Sequence, residues 1–301
     1  MTQGILNINK PRGKASFAVV SLVRRLTGVK RVGHAGTLDP IADGVLPVCL
    51  GSATRIVEYL VDSPKAYRGT VRLGVTTDTY DSEGAVVAIG DPSGITRTQV
   101  DEALLHFVGA IRQLPPMYSA LKHQGKPLYR YAREGKEAPR EERTVNVYRI
   151  ELLRFDPPLV ELEIECGRGA YVRTIAHDLG QRLGCGGHLE ALTRLHSGPF
   201  TLGDAINLDA FEAAVRADTW RELLLPPDRV LESWQAALLE GEHVLDVRSG
   251  RLVLLTPLRP GQGEPDVETL CRAYSSDGEF LAILRYRGAE RWQAEKVFAA
   301  L

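Results

Sequence analysis

The spacing of apolar positions along this chain changes several times, and the changes outline its architecture. Gly4–Asn9 reads as a short strand. From Ser16 the period lengthens, and Phe17, Val20, Val23 and Leu26 define the buried face of a helix, with Ser16 as its cap and Gly28 as its stop. Val45–Leu50 is a compact apolar run of strand type. Tyr67, Gly69, Val71, Leu73 and Val75 then alternate with Arg68, Thr70 and Arg72, the pattern of a half-buried strand. Thr98-Gln99-Val100-Asp101 resembles a capping box that opens a helix reaching about Val108. Residues 143–166 hold two more strands. In the second, Val160, Leu162, Ile164 and Cys166 alternate with Glu161, Glu163 and Glu165, so one face is wet. Arg173–Leu183 returns to a helical period through Ile175, Leu179 and Leu183, and ends at Gly184.

Beyond residue 200 the texture shifts. Acidic helical patterns cover Leu208–Val215 and Thr219–Leu225, and Pro226-Pro227 interrupts them. From about His243 the short runs Leu252–Leu255, Thr269–Tyr274 and Phe280–Tyr286, separated by Gly/Pro turns, indicate a small β-rich domain. Helices and strands interleave without regular alternation, so the expected class is α+β, with a mainly antiparallel mixed sheet flanked by helices. A chain of 301 residues suits one large domain and one small, here 1–235 and 240–301.

Composition removes some function classes. Hydrophobic residues at 44% and charged ones at 25% are ordinary for a globular protein. No apolar run reaches the length of a bilayer span, and no basic-then-apolar leader opens the chain, so a cytoplasmic protein without membrane contact is expected. Cys49, Cys166, Cys185 and Cys271 are scattered and read as free, buried thiols. The net charge of −1 conceals an asymmetry: residues 1–199 carry a net +5 and residues 200–301 a net −6. Within residues 1–40, Lys10, Arg12, Lys14, Arg24, Arg25, Lys30 and Arg31 face Asp39 alone. Clustered positive charge of this kind fits phosphate contact, although a solvated helix face gives the same pattern.

Candidate chemistry concentrates in Gly33-His34-Ala35-Gly36-Thr37-Leu38-Asp39-Pro40 and its continuation to Pro47, which sets the carboxylate of Asp39 in a tight turn before an apolar strand. An ionised carboxylate can act as nucleophile or base, but when partly buried it needs a cation to hold its charge. Asp43-Gly44 reads as a structural turn. A second region, 115–143, interleaves Lys122, Lys126, Arg130, Arg133 and Lys136 with Tyr118, Tyr129 and Tyr131, which suits phosphate neutralisation with stacking. Tyr129 and Ala132 also fit the buried face of a short helix. Cys185-Gly186-Gly187-His188 has ligand-like spacing but no second Cys/His pair near it, so no metal site is expected. Neither a phosphate-binding Gly-rich loop with Lys-Ser/Thr nor a dinucleotide fingerprint occurs, and no cofactor is expected.

Residues 4–200 carry five motifs, in order, that resemble the TruB-type pseudouridine synthases, the bacterial family that modifies the T arm of tRNA: Lys10-Pro11, the Gly33–Pro47 loop, Lys65-Ala66-Tyr67-Arg68, the 115–135 insertion, and Cys166–Ile175 with Gly169-Ala170-Tyr171-Val172-Arg173. The resemblance implies that Asp39 is catalytic, that Arg173 pairs with it, and that Tyr67 stacks on the target uracil. It implies substrate contacts for His34, Tyr171 and Leu192, a place for Lys10 near the site, and an RNA grip through Lys122, Lys126 and Arg130. It further implies a PUA-like RNA-binding domain at the C-terminus, tRNA as the partner, and a monomer without an obligate protein partner. The reaction implied is redox-neutral isomerisation of uridine 55 after base flipping, with C1′–N1 cleavage and C1′–C5 rejoining. Two rivals use the same basic groove: a non-catalytic tRNA-binding or tRNA-folding protein, and a guide-RNA-dependent synthase acting on ribosomal RNA. The set Asp39, Tyr67 and Arg173 favours the enzyme, since a pure binder has no use for a buried carboxylate facing an anionic ligand.

Overall fold

In the computed structural model, which describes residues 2–119, 121–255 and 264–298, a ten-stranded mixed sheet forms the body of the protein. Ala120 of the basic insertion, and 256–263 and 299–301 of the C-terminal region, lie outside the described residues. The elements that place the site are β1 (Gly4–Lys10), α1 (Ser16–Thr27), β2 (Val32–His34), β3 (Ala42–Leu50), α2 (Val57–Asp62), β4 (Lys65–Leu73), α3 (Arg97–Leu104), β5 (Gly109–Gln113), α4 (Leu128–Arg133), β6 (Arg143–Asp156), β7 (Leu159–Cys166), α5 (Val172–Arg182) and β8 (Gly187–Ser197). The main strand order is β1-β3-β8-β4-β7-β6-β5, antiparallel throughout except between β3 and β8. Val71, Val160, Leu162, Ile164, Ile175 and Leu179 meet in the core between the sheet and the helices. The glutamates of β7 lie on the opposite face, where Glu161 and Glu163 pair with Arg68, and Glu163 also with Arg149. The alternation expected for β4 and β7 is therefore realised, with β4 ending at Leu73 before Gly74.

Several expectations are corrected. Helix α1 buries Ser16, Val19, Val20 and Val23, whereas Phe17 is 68% exposed, because the buried face is centred on Ser16 and Phe17 projects about 100° round the helix from it. Ser16 does not cap the helix. Its Oγ donates to the Leu38 carbonyl at 2.9 Å and accepts from the Leu38 amide at 2.8 Å, tying the helix start to the turn that carries Asp39. Removing a hydroxyl that satisfies two buried backbone groups leaves both unpaired. Ser16→Ala should therefore cost about 2 kcal/mol in urea denaturation, and a loss below about 0.5 kcal/mol would count against this tie. The capping box of α3 is two residues earlier than expected, with Thr96 as cap and Gln99 as its reciprocal partner, and the α-helix stops at Leu104. Asp43-Gly44 is no turn: both lie in β3, and Gly44 (φ 98°) is required because a Cβ there would sit 2.3 Å from the Arg194 carbonyl oxygen of β8. The reversal comes earlier, where the Ala42 amide donates to the Asp39 carbonyl at 3.1 Å.

At the C-terminus, Leu208–Arg216 is helical, but Trp220–Leu223 is only a 3-10 turn, and Pro227 opens another instead of merely breaking the pattern. A second sheet follows in the order Ala236–Leu239, Leu270–Ser275, Phe280–Tyr286, Arg291–Val297, Leu252–Leu254. Its first and fourth strands, and the helix Glu242–Arg248 beside it, were not expected. This sheet packs on the body through Ile283 and Phe298, which share an apolar cluster with Ala53, Ile56, Leu60 and Leu231. All four cysteines are buried and free. No described helix is long and apolar enough to cross a membrane.

Candidate active site

A cavity of about 240 Å³ opens between the Gly36–Asp39 loop, the start of β4, the Gly167–Arg173 segment and β8. Asp39, Tyr67, Tyr171, Arg173 and Leu192 all line it, joined by Lys65 and Arg194. Val61 of α2 and Ser119 of the insertion complete the lining, which is thus drawn from segments far apart in the chain that only the fold brings together. The Asp39 loop is fixed from below: Ser16 holds Leu38, and the Gly13 amide donates to the Pro40 carbonyl at 2.7 Å. Tyr171 and Arg173 come from the turn into α5, where Gln113 of β5 clamps the Tyr171 backbone in both directions at 3.0 and 3.2 Å.

Arg173 organises the charges. Its Nε lies 2.9 Å from Asp39 Oδ2, while Nη1 lies 3.5 Å from Asp81 Oδ2. The Nε–H is not aimed at the Asp39 oxygen, so the contact is an ion pair and not a linear hydrogen bond. Nη2 donates to the Tyr118 carbonyl at 2.9 Å and Nη1 to the Thr79 carbonyl at 3.4 Å. One buried guanidinium therefore joins the Asp39 loop, the Thr79–Asp81 turn and the start of the basic insertion. Asp81 is itself held by the Thr79 hydroxyl at 2.5 Å. The Asp39 side chain, one-third exposed, sits at the mouth of the cavity. Desolvation pushes its carboxyl above the ordinary range; Asp81 adds to the push, and Arg173 and Lys10 oppose it. Burial likewise raises the phenols of Tyr67 and Tyr171.

Other expected site residues are placed differently. Lys10 is fully buried, so it faces no solvent: its Nζ donates to the carbonyls of Pro11 and Lys14 at 3.0 and 2.6 Å. Burial pulls its pKa down to about 8, against the attraction of Asp43 and Asp39. It shapes the turn below Asp39 and adds positive charge from beneath, and does not touch a ligand from this position. His34 lies on β2 outside the cavity lining, with a buried Nδ1 that has no partner, and burial lowers its pKa. Lys122 and Lys126 form a two-strand hairpin leading into α4, which carries Arg130. Lys126 is engaged by Glu134 and by the Tyr131 ring, whereas Lys122 and Arg130 point outward. Leu128, more than Tyr129, is the buried residue of α4. His188 is buried, with Nδ1 donating to the Val75 carbonyl at 2.8 Å, and no metal-ligand cluster occurs among the described residues.

Three site residues were missed in the sequence; of these, Lys65 was quoted only as part of the Tyr67 motif. Asp81 sits in Thr79-Tyr80-Asp81, which reads as common turn chemistry. Arg194 is fully buried, with Nε donating to the Val45 carbonyl at 2.6 Å and Nη2 to the Gly36 carbonyl at 3.2 Å. The available signal was its position two residues after Leu192, on the same inward face of a strand, where an arginine is out of place.

Comparison with known proteins follows the same chain segments. The N-terminal domain model of the TruB family pseudouridylate synthases matches residues 24–172, and the C-terminal domain model of tRNA pseudouridylate synthase B matches 173–232. A protein of Dehalococcoides mccartyi described as tRNA pseudouridine synthase B is 43% identical over 295 residues, covering 98% of this chain and 96% of its own. One of Syntrophotalea carbinolica with the same description is 50% identical over 222 residues, covering 74% and 72%. Among solved structures, a Cbf5-Nop10-Gar1 complex superposes with a TM-score of 0.74 at 25% identity, covering 99% of this chain and 84% of the matched one. An H/ACA RNP bound to a substrate RNA containing 2′-deoxyuridine gives 0.75 at 24% identity, covering 99% and 85%, a likeness of fold.

Proposed function

The chain belongs to the TruB family of pseudouridine synthases, and from that premise we propose that it converts uridine 55 in the T arm of tRNA to pseudouridine. The observation that carries the reading is the Asp39–Arg173 pair at the mouth of a cavity walled by Tyr67, Tyr171 and Leu192. A planar base fits between such aromatic and aliphatic walls, and an aromatic face replaces the stacking lost on flipping, worth about 1–3 kcal/mol per base. Asp39, whose charged form Arg173 favours against the desolvation of the site, faces the ribose and promotes cleavage of C1′–N1. The freed ring turns and rejoins through C5, and the C5 proton is released. Lys122 and Arg130, exposed on the insertion, take RNA phosphates, as do the exposed Arg12, Lys14, Arg24 and Arg25.

The protein works as a single chain in the cytoplasm, and the five-stranded sheet serves as a PUA-like domain with a small phosphate contribution. Its arginines are largely matched internally: Arg285 pairs with Glu268 and Glu295, and Arg248 with Glu279. Identities of 43–50% to relatives described as tRNA pseudouridine synthase B, against 25% to the Cbf5-Nop10-Gar1 structure, favour free tRNA over guided substrates. Tritium release from tRNA transcript labelled at uracil C5 tests the reading. Release is expected from wild-type transcript and absent when uridine 55 is replaced by cytidine; release that survives the replacement would move the target elsewhere.

A further inference from the structure

Four cations are buried around the cavity: Lys10, Lys65, Arg173 and Arg194. Arg173 is matched by Asp39 and Asp81. Lys65 and Arg194, which line the cavity itself, have no carboxylate within 4.0 Å among the described residues. Their neighbours are neutral: backbone carbonyls and, for Arg194, the phenol of Tyr67. Lys65 Nζ donates to Val61 and Ser63 at 2.7 and 2.6 Å and to Leu60 at 3.3 Å, the C-terminal carbonyls of α2. Arg194 donates to Val45 and Gly36. The two converge on one point of the loop: a Cβ at Gly36 would lie 3.3 Å from Arg194 Nη1 and 3.7 Å from Lys65 Cε.

Buried charges without a counter-ion are costly, and two like charges held side by side are more so. A fold that fixes them this way is suited to a negative charge that arrives only during the reaction, when rigid, desolvated cations act most strongly. We propose that Lys65 and Arg194 form the electrostatic floor of the uracil subsite and stabilise the ring anion produced by C1′–N1 cleavage. The proposal rests on the synthase reading given above and adds to it a division of labour. Asp39 and Arg173 serve the sugar, while Lys65 and Arg194 serve the base.

The electron accounting is closed. On cleavage the C1′–N1 pair stays with the ring, giving the uracil anion with its charge shared among N1, O2 and O4. Cleavage leaves C1′ short of that pair; after the ring turns, a pair from C5 forms the C1′–C5 bond, the C5 proton leaves to solvent and N1 takes up a proton, so the product is an isomer of uridine. Nothing is oxidised or reduced.

The test compares two leaving groups. Transcripts carrying uridine or 5-fluorouridine at the target are followed in single turnover by loss of the starting nucleoside after digestion. Fluorine at C5 withdraws electrons and stabilises the departing ring, so it lessens the need for positive charge in the protein. Arg194→Gln should slow uridine about 100-fold and 5-fluorouridine about tenfold or less, and Arg194→Lys should recover most of the loss. If Arg194 only props the Gly36 loop, a misplaced Asp39 slows both substrates by the same factor, and equal factors overturn the proposal. Lys65→Gln gives the same comparison should Arg194→Gln fail to fold. Failure of the wild type to convert uridine at all would instead sink the synthase reading.

Discussion

Asp39→Asn should lower the single-turnover rate of pseudouridine formation by about 10⁴-fold or more while changing tRNA affinity by no more than about threefold. The split follows from the geometry. Asparagine is nearly isosteric with aspartate, and the loop that presents it is held by the Ser16–Leu38 and Gly13–Pro40 bonds, none of which uses the carboxylate. Arg173 stays in place as well, because Asp81, the Thr79 carbonyl and the Tyr118 carbonyl remain as partners. What disappears is the charge and basicity at the cavity mouth, which any of the possible first steps at the sugar or ring requires. Binding should be unchanged or slightly tighter, since an anion facing an anionic ligand is removed. Filter binding and rapid-quench turnover on the same preparation give both numbers. A variant retaining more than about 1% of the wild-type rate would remove Asp39 from the chemistry.

The readable parts of the fold were those where one local pattern and one tertiary demand agree. Strand β7 alternates because its inner face meets α5 and its outer face carries the glutamates that pair with Arg68 and Arg149. Where a tertiary contact reassigns a side chain, the local pattern misleads. Ser16 has the chemistry of a cap, yet its hydroxyl is claimed by the Asp39 loop, and Gly44 has the dipeptide of a turn, yet it serves the close approach of β8. The helix Glu242–Arg248 is seven residues long, too short for a period to emerge. Within the site, Asp39, Tyr67, Arg173, Tyr171 and Leu192 were reached through the family motifs, not through periodicity, and they line one cavity. Lys10 was placed near the site by its motif, but its full burial follows from being the last residue of an internal strand. Asp81 had no recognised motif around it, and Arg194 lies in the Ala191–Leu195 segment that was matched for Leu192 alone; a single charged residue in a strand or turn usually marks a wet face.

Arg173→Met should be the second most damaging change, and its signature is a dependence on pH. In the native protein one guanidinium lies between two carboxylates, 2.9 Å from Asp39 and 3.5 Å from Asp81. Removing it leaves two acids sharing a desolvated site with no cation between them, a loss on the order of 3–5 kcal/mol at neutral pH. Burial already holds the Asp39 carboxyl above its ordinary range, and loss of its strongest opposing charge raises it further. A carboxyl whose folded pKa exceeds its unfolded one binds more protons in the folded state, so stability falls as pH rises from the ordinary carboxylate range through the raised value. The variant should therefore approach wild-type stability in acid and diverge from it toward neutrality. The same shift moves the acid limb of kcat/KM upward, because less Asp39 is ionised at any given pH. Adding Asp81→Asn to Arg173→Met should restore much of the stability by leaving one acid in place of two, yet restore little activity, since Asp39 still lacks its cation. Urea unfolding at a series of pH values, paired with pH–rate profiles, reads both consequences. A stability deficit that is the same at every pH would mean that Arg173 acts as a packing element between α5, the Asp81 turn and the insertion, and not as the charge that holds Asp39 ready.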